Sequence, residues 1–153
     1  NKFKGSLIVK SCSSIRSKVV SDEIFCSWNL ENTKNLPTFF QEKIIGKDIR
    51  VHVCYKHIWS LQVISKDNTD YRYATKKYLK YEEIKIPKFL ASFCSSLIKY
   101  ENNNFVGIDF IKSKNKFYCL ESNPGPGWST YHHPSKSQFA LNVYKNLTRI
   151  KHA

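Results

Sequence analysis

The amino-acid sequence predicts an α+β fold in which an antiparallel sheet packs against helices. Short runs rich in β-branched and aromatic residues recur along the chain, and polar turn segments separate them. Two longer segments, around residues 87–100 and 134–147, repeat apolar residues every three or four positions. That period is typical of amphipathic helices, which need a sheet or another helix to cover their apolar side.

The first half of the chain contains most of the predicted strands. We expect strands at Leu7–Lys10, through Val19 and Val20, at Phe39–Ile45, at Ile49–Tyr55 and at Ile58–Ile64. A Ser-rich loop, Ser11–Ser17, separates the first two, and Gly46–Asp48 is predicted to be a turn. Lys56-His57 joins the last two strands as a hairpin.

The second half alternates helices with one further hairpin. Pro87 and the apolar residues that follow it predict a helix to about Tyr100. Phe105–Ile111 and Phe117–Leu120 are predicted strands joined by a polar turn at Ser113–Asn115. A Pro- and Gly-rich loop, Asn123–Gly127, precedes a last helix that starts near Pro134.

The composition is that of a folded, strongly basic domain. Hydrophobic residues make up 41% of the 153 residues, with only five Gly and five Pro, which excludes disordered and collagen-like chains. Lys and Arg number 25 against 12 Asp and Glu, a net charge of +13. This balance predicts an anionic partner: nucleic acid, a membrane surface or nucleotide phosphates. No apolar run approaches the roughly 20 residues of a membrane span, so we expect no transmembrane segment.

The cysteines indicate a reducing compartment. Five cysteines are widely spaced with no C-x-x-C pair, whereas disulfide frameworks and zinc sites favour paired spacings. We therefore expect reduced thiols in the cytoplasm. The chain starts at Asn1 with neither an initiator Met nor a signal-peptide pattern, and we expect it to be a piece of a longer protein.

Two acidic residues interrupt otherwise apolar strands. If the hairpin turns about Lys114-Asn115, Asp109 lies opposite Glu121, and Asn123 emerges on the same face because side chains alternate along a strand. Opposed carboxylates repel each other unless a cation lies between them, and oxygen ligands of this kind suit Mg²⁺. The alternative is a pair of exposed carboxylates neutralised by surplus lysines.

Basic residues that could hold phosphate occur at three places. Lys10 ends an apolar strand and opens the Ser-rich loop, where a backbone can approach phosphate. Arg50 and Arg72 stand in β-rich surroundings that favour bidentate phosphate contact. The alternatives are a surface lysine and simple ion pairs of the arginines with Asp48 and Asp70.

Together these residues resemble the ATP-grasp fold, and within it the RimK-like branch and the ligases that cross-link ribosomally made peptides. The matching segments occur in the family's order from Leu7 to Tyr144: Leu7–Lys10, Phe40–Ile44, Gly46–Val51, Asp70–Arg72, Gly107–Phe110 and Leu120–Pro124. The ordered set is specific, above all Asp-Ile-Arg followed by Gly-Ile-Asp and Glu-x-Asn-Pro. The chain departs from the family in having a Ser-rich rather than Gly-rich loop.

The resemblance implies a role for each matching residue. Lys10 would contact nucleotide phosphates, Asp48 the ribose hydroxyls, and Arg50 and Arg72 the γ-phosphate and an acyl-phosphate. The remaining implied sites are an adenine-binding hinge, formed by Gln41, Glu42, Lys43 and Ile44, and a Mg²⁺ site, formed by Asp109, Glu121 and Asn123.

The resemblance also implies the reaction and the domain organisation. ATP would phosphorylate a substrate carboxylate, and an amine or hydroxyl would then displace phosphate to give an amide or ester on a peptide or small substrate. ATP and Mg²⁺ are the implied cofactors, with Mn²⁺ as an alternative ion. Residues 1–45 would belong to a nucleotide lid and residues 46–153 to a metal-binding subdomain, with the nucleotide between them. An N-terminal domain needed for complete catalysis would lie outside residues 1–153.

Two other functions are compatible with the sequence. A basic stretch from Lys76 to Lys85 with interleaved tyrosines suits single-stranded nucleic acid, although the opposed carboxylates would repel phosphate. A catalytically inactive interaction module is the other alternative. Neither the substrates nor the oligomeric state follows from the sequence.

Overall fold

A computed structural model of the chain describes residues 7–11, 17–20, 37–65, 78–131 and 133–148. The chain divides into two units, Asn1–Ile45 and Gly46–Ala153. The assignment of these units as nucleotide lid and metal-binding subdomain stays a prediction. Arg72, His132 and most of the Ser-rich loop lie outside the described residues.

The first unit contains a three-stranded antiparallel sheet in the order β2-β1-β3. Its strands are β1 (Leu7–Ser11), β2 (Ser17–Val20) and β3 (Thr38–Glu42). Leu7 and Val9 are buried. The strand predicted to reach Ile45 ends at Glu42, which pairs with Leu7 of β1.

The second unit is built on a five-stranded antiparallel sheet in the order β6-β5-β4-β7-β8. The strands are β4 (Lys47–Cys54), β5 (His57–Ser65), β6 (Leu79–Glu83), β7 (Phe105–Ser113) and β8 (Lys116–Pro124). The turn predicted at Gly46–Asp48 is wrong for its last two residues, since Lys47 and Asp48 pair with Lys112 and Ile111 of β7.

Two further local differences involve turns and the sheet edge. The turn between β4 and β5 is Tyr55-Lys56, with Tyr55 at a φ of 52°, so His57 belongs to the strand. Strand β6 was not expected, because its charged residues hide the strand pattern. It forms by pairing with β5, and Gln62 lies opposite Glu82.

A helix covers each face of the five-stranded sheet. Helix α1 (Lys88–Tyr100) buries Leu90, Cys94 and Ile98 against alternate residues of β4 and β7. Helix α2 (Lys136–Thr148) buries Phe139 and Val143 against the opposite face, among the apolar residues of β5. Both predicted helices and the α+β class are confirmed.

The β7–β8 hairpin contains a register shift beside Asp109. Near the turn, Phe110 lies opposite Cys119, whereas beyond the shift Asp109 lies opposite Glu121. Leu120 is therefore an extra residue in β8, a β-bulge. Because a bulge moves the side chains that follow it to the other face of the sheet, Glu121 and Asn123 lie on the face of Asp109, and Ser122 lies on the α1 face.

Three described cysteines, Cys54, Cys94 and Cys119, are free thiols. Burial raises the pKa of the Cys94 thiol to about 12. Within the described residues, neither helix is sufficiently long and apolar to cross a lipid bilayer.

Truncation of Leu61 tests the packing of α2 on the sheet. Leu61 is fully buried, whereas Leu141 of α2 is 50% exposed. We expect Leu61→Ala to lower the free energy of unfolding of the chain by about 2–5 kcal/mol, because it leaves a cavity. Leu141→Ala, the matched control, should change it by less than about 0.5 kcal/mol. Urea denaturation of the two variants measures the difference, and equal losses would contradict the packing described.

Candidate functional site

Five of the predicted site residues share the α2 face of the sheet. Asp48 and Arg50 alternate along β4, and Arg50 lies directly opposite Asp109 of β7. Asp109 in turn lies opposite Glu121, and Gly107 lies opposite Asn123. The predicted pairing of Asp109 with Glu121 is confirmed. The bulge at Leu120 brings these two residues opposite each other.

The centre of this face is a nearly buried ion pair. Nη1 of Arg50 lies 2.5 Å from Oδ2 of Asp109, and their side chains are only 7% and 18% exposed. A charge-assisted hydrogen bond with so little water nearby is stronger than a surface pair. Asp48 was the ion-pair partner of Arg50 considered from the sequence; the structure shows an ion pair of Arg50 with Asp109, its cross-strand neighbour on β7.

The second acidic residue is oriented by its neighbour on β8. Nδ2 of Asn123 donates a hydrogen bond to Oε1 of Glu121 over 3.3 Å. This contact turns the amide nitrogen toward the carboxylate and presents the amide oxygen as a possible metal ligand. Within the described residues, no group of three or more His, Cys, Asp or Glu side chains forms a metal cluster.

A Mg²⁺ site fits this donor set. Asp109, Glu121 and Asn123 offer carboxylate and amide oxygens on one face, and Mg²⁺ takes a few such ligands and completes its shell with water and substrate phosphates. Two carboxylates plus an amide make a site typical of nucleotide-bound Mg²⁺ rather than of a metal enclosed by protein alone.

His52 lies beside Arg50 on β4 and is completely buried. Nε of Arg50 donates toward Nε2 of His52 at 3.4 Å. Burial, followed by the positive charge of Arg50, lowers the pKa of His52 from 6.5 to about 3, while a backbone group of Gly127 acts weakly in the opposite direction. His52 is therefore neutral at pH 7.

The loop of residues 125–131 covers the same ion pair. The ring of Tyr131 is buried, and its centroid lies 5.8 Å from Cζ of Arg50. A Cβ on Gly107 would collide with the Arg50 guanidinium and would lie 2.6 Å from Cβ of Pro126. Only glycine at this position lets both groups pack against β7.

The segment that follows the loop, residues 133–135, is tied to β6 and β5. Nδ1 of His133 lies 3.1 Å from a carboxylate oxygen of Glu83 and 3.0 Å from the Ser135 hydroxyl. Trp59 Nε1 donates a hydrogen bond to the same hydroxyl over 2.7 Å. These bonds hold the loop over the α2 face.

The remaining predicted residues belong to the first unit or lie outside the described residues. Lys10 is in β1, where its Cα is paired with Ser17 and Phe39. Gln41 and Glu42 end β3, and Lys43 and Ile44 follow it. Arg72 is not among the described residues. The roles of all these residues in nucleotide binding stay predictions.

The fold is shared with a group of solved ligase structures. The macrocyclase MdnC from Microcystis aeruginosa MRC, bound with precursor peptide MdnA, matches with a TM-score of 0.75 at 19% identity over 95% of this chain. PsnB, in complex with a precursor variant, Mg and ADP, matches with a TM-score of 0.72 at 19% identity over 93%. The chain has the ATP-grasp fold.

This fold is also found in ligases that act on small molecules. The D-alanine–D-alanine ligase from Bacillus anthracis complexed with ATP matches with a TM-score of 0.65 at 18% identity over 95% of this chain. The chain spans about half the length of these ATP-grasp ligases, 47–53% in the three structures named. No family model and no curated protein matches the sequence.

Three site residues were not identified from the sequence. They are His52, Gly107 and Tyr131, and each lies against Arg50. The one signal available was the position of His52, since it lies two residues after Arg50 and therefore on the same face of β4.

The close approach at Gly107 can be tested by adding one methyl group. Gly107→Ala forces Arg50 and Pro126 to move, so we expect it to lower the free energy of unfolding by about 1–3 kcal/mol. Gly127→Ala is the matched control, because a Cβ there meets nothing within 4 Å. Thermal denaturation of both variants would show the difference; equal stability would mean that Arg50 does not lie against Gly107.

The low pKa of His52 makes the stability depend on pH. The unfolded chain binds a proton at His52 near pH 6.5, whereas the folded chain does so only near pH 3. Its contribution to stability is therefore complete above pH 6.5 and is lost as the pH falls from 6.5 toward 3, by about 1.4 kcal/mol per pH unit well inside this window.

We expect His52→Gln to remove this part of the pH dependence, and His57→Gln, on the neighbouring strand, to retain it. The measurement is the free energy of unfolding in urea between pH 7 and pH 5. If the free energy of unfolding changes with pH equally in the wild-type chain and in His52→Gln, His52 is accessible to protons in the folded state.

Proposed function

We propose that the chain is the part of an ATP-dependent ligase that carries its metal and phosphate site. The enzyme joins a carboxylate to an amine or a hydroxyl through an acyl-phosphate and modifies a peptide or protein. The observation that carries this proposal is the alignment of Asp109, Glu121 and Asn123 on one sheet face beside the buried Arg50. The ATP-grasp fold supports the same class of reaction.

The reaction has two steps, neither of which needs a nucleophilic side chain from the protein. The substrate carboxylate attacks the γ-phosphorus of ATP and releases ADP, and the incoming amine or hydroxyl then attacks the acyl carbon and releases phosphate. Bound at Asp109, Glu121 and Asn123, Mg²⁺ would supply positive charge to the phosphates. Positioning and charge neutralisation are the main sources of catalysis in phosphoryl transfer.

Arg50 is suited to stabilise the transferring group. Its guanidinium is always charged and offers a planar set of donors that matches phosphate oxygens. The burial of Arg50 strengthens this interaction, because little water competes for the charge. Asp109 holds the guanidinium at one nitrogen, and Arg72 is the proposed second arginine.

The remaining nucleotide contacts in the proposal are those that the family resemblance implies. Lys10 binds the phosphates, Gln41, Glu42, Lys43 and Ile44 form the adenine hinge, and Asp48 binds the ribose. Asp48 lies on the same face of β4 as Arg50, which places it on the site side of the sheet.

A peptide is the proposed substrate, and the cytoplasm is the proposed compartment. Two structures with this fold, PsnB and MdnC, hold precursor peptides. The net charge of +13 favours an acidic peptide, since opposite charges speed and strengthen association. The free thiols of Cys54, Cys94 and Cys119 are compatible with a reducing compartment.

The metal role can be tested by the affinity of the chain for ATP in the presence of Mg²⁺. We expect Glu121→Gln to weaken binding by about 10- to 100-fold, because the neutral amide is a poorer ligand than a carboxylate. Asp109→Asn should weaken it further, since it also removes the partner of Arg50. Isothermal titration calorimetry measures both effects.

Glu82→Gln is the matched control, because Glu82 is an exposed carboxylate on the edge strand β6. It should bind ATP as the wild-type chain does. Unchanged affinity in Glu121→Gln and Asp109→Asn, with both variants folded by circular dichroism, would overturn the metal assignment.

A further inference from the structure

The Arg50 guanidinium meets a different partner at each of its three nitrogens. Nη1 contacts Asp109, Nε points to Nε2 of His52 at 3.4 Å, and Nη2 lies against Gly107. The ring of Tyr131 covers the group from the loop. A planar group that is fixed at two separate nitrogens cannot turn within its own plane, so Asp109 and His52 together define the orientation of Arg50.

His52 can serve as the second fixed point only while it is neutral. A neutral imidazole offers one acceptor nitrogen, and a protonated ring offers none. Aromatic rings exclude water from His52: the centroid of Tyr131 lies 5.2 Å from it, that of Trp59 5.6 Å and that of Phe139 6.0 Å. This apolar enclosure and the charge of Arg50 both favour the neutral form.

The contact also defines the tautomer. If Nε2 accepts from Arg50, the ring proton is on Nδ1. Nδ1 makes no hydrogen bond of ordinary geometry among the described residues, while a backbone group of Gly127 lies near enough to raise the pKa of His52 slightly. The loop of residues 125–131 thus approaches His52 through Gly127, while Nε2 of the same ring lies near Nε of Arg50.

We propose that His52 is a positioning residue that orients the Arg50 guanidinium toward the nucleotide phosphates by accepting a hydrogen bond from its Nε. The inference rests on the proposed function, because the anion that Arg50 meets is the γ-phosphate. It adds a residue on β4 to the site, and it gives a reason for a histidine inside an otherwise apolar cluster.

The first test compares ATP with ADP, since only ATP carries the γ-phosphate. His52→Leu removes the acceptor, and we expect it to lower the affinity of the 153-residue chain for ATP about tenfold relative to ADP, both measured with Mg²⁺. His52→Gln retains an acceptor oxygen and should keep the wild-type ratio of ATP affinity to ADP affinity. Phe139→Leu loosens the same aromatic cluster without touching the acceptor, and should leave the ratio unchanged.

A purely structural role of His52 would weaken ATP and ADP binding equally. If the ratio of ATP affinity to ADP affinity is the same in His52→Leu as in the wild-type chain, the proposal is overturned. It is also overturned if Phe139→Leu lowers this ratio as much as His52→Leu does.

The second test needs no nucleotide. The Nε–H signal of Arg50 in a ¹H–¹⁵N spectrum should exchange with water about tenfold faster in His52→Leu than in the wild-type chain, and no faster in His52→Gln. If the wild-type chain binds no nucleotide, the proposed function fails, and the exchange rate still decides whether His52 holds Arg50. Equal exchange in the wild-type chain and His52→Leu would overturn the positioning role.

Discussion

A single extra residue, Leu120, decides which face of the sheet carries Glu121 and Asn123. The two-residue turn at Lys114-Asn115 alone would place Asp109 opposite Leu120 and turn Glu121 toward α1. That face is the apolar core formed with Leu90, Cys94 and Ile98, where an unpaired carboxylate would lose its hydration without compensation. The bulge therefore keeps the Glu121 carboxylate out of the apolar core and also places it opposite Asp109.

The burial of Arg50 determines which groups can lie around its side chain. An arginine side chain that is only 7% exposed needs a counter-charge, which Asp109 supplies from the neighbouring strand. A second cation at the same depth would raise the electrostatic energy steeply, so the histidine beside it has to be neutral. Glycine at position 107 then provides the space, because any side chain there would occupy the volume of the guanidinium.

Much of this arrangement follows from short-range patterns in the sequence. Apolar periodicity predicted both helices. A hairpin about Lys114-Asn115 predicted the partner of Asp109 only to within one residue, and the bulge at Leu120 makes that partner Glu121. The contacts of His52 and Tyr131 could not be predicted, because they depend on how the loop of residues 125–131 folds back over β4. The bulge at Leu120 and the edge strand β6 were missed for a similar reason: each is defined by pairing with another strand rather than by its own residues.

Strand β6 has a consequence for the behaviour of the protein at high concentration. Among the described strands it forms one edge of the five-stranded sheet, and an edge strand presents backbone groups to which a strand of another molecule can add. Its sequence, Leu-Lys-Tyr-Glu-Glu, places charges of both signs along that edge, with Lys80, Glu82 and Glu83 exposed. Charged side chains at an edge oppose fibre growth by strand addition. The charged residues that obscure the strand pattern of β6 in the sequence thus also oppose self-association of the sheet.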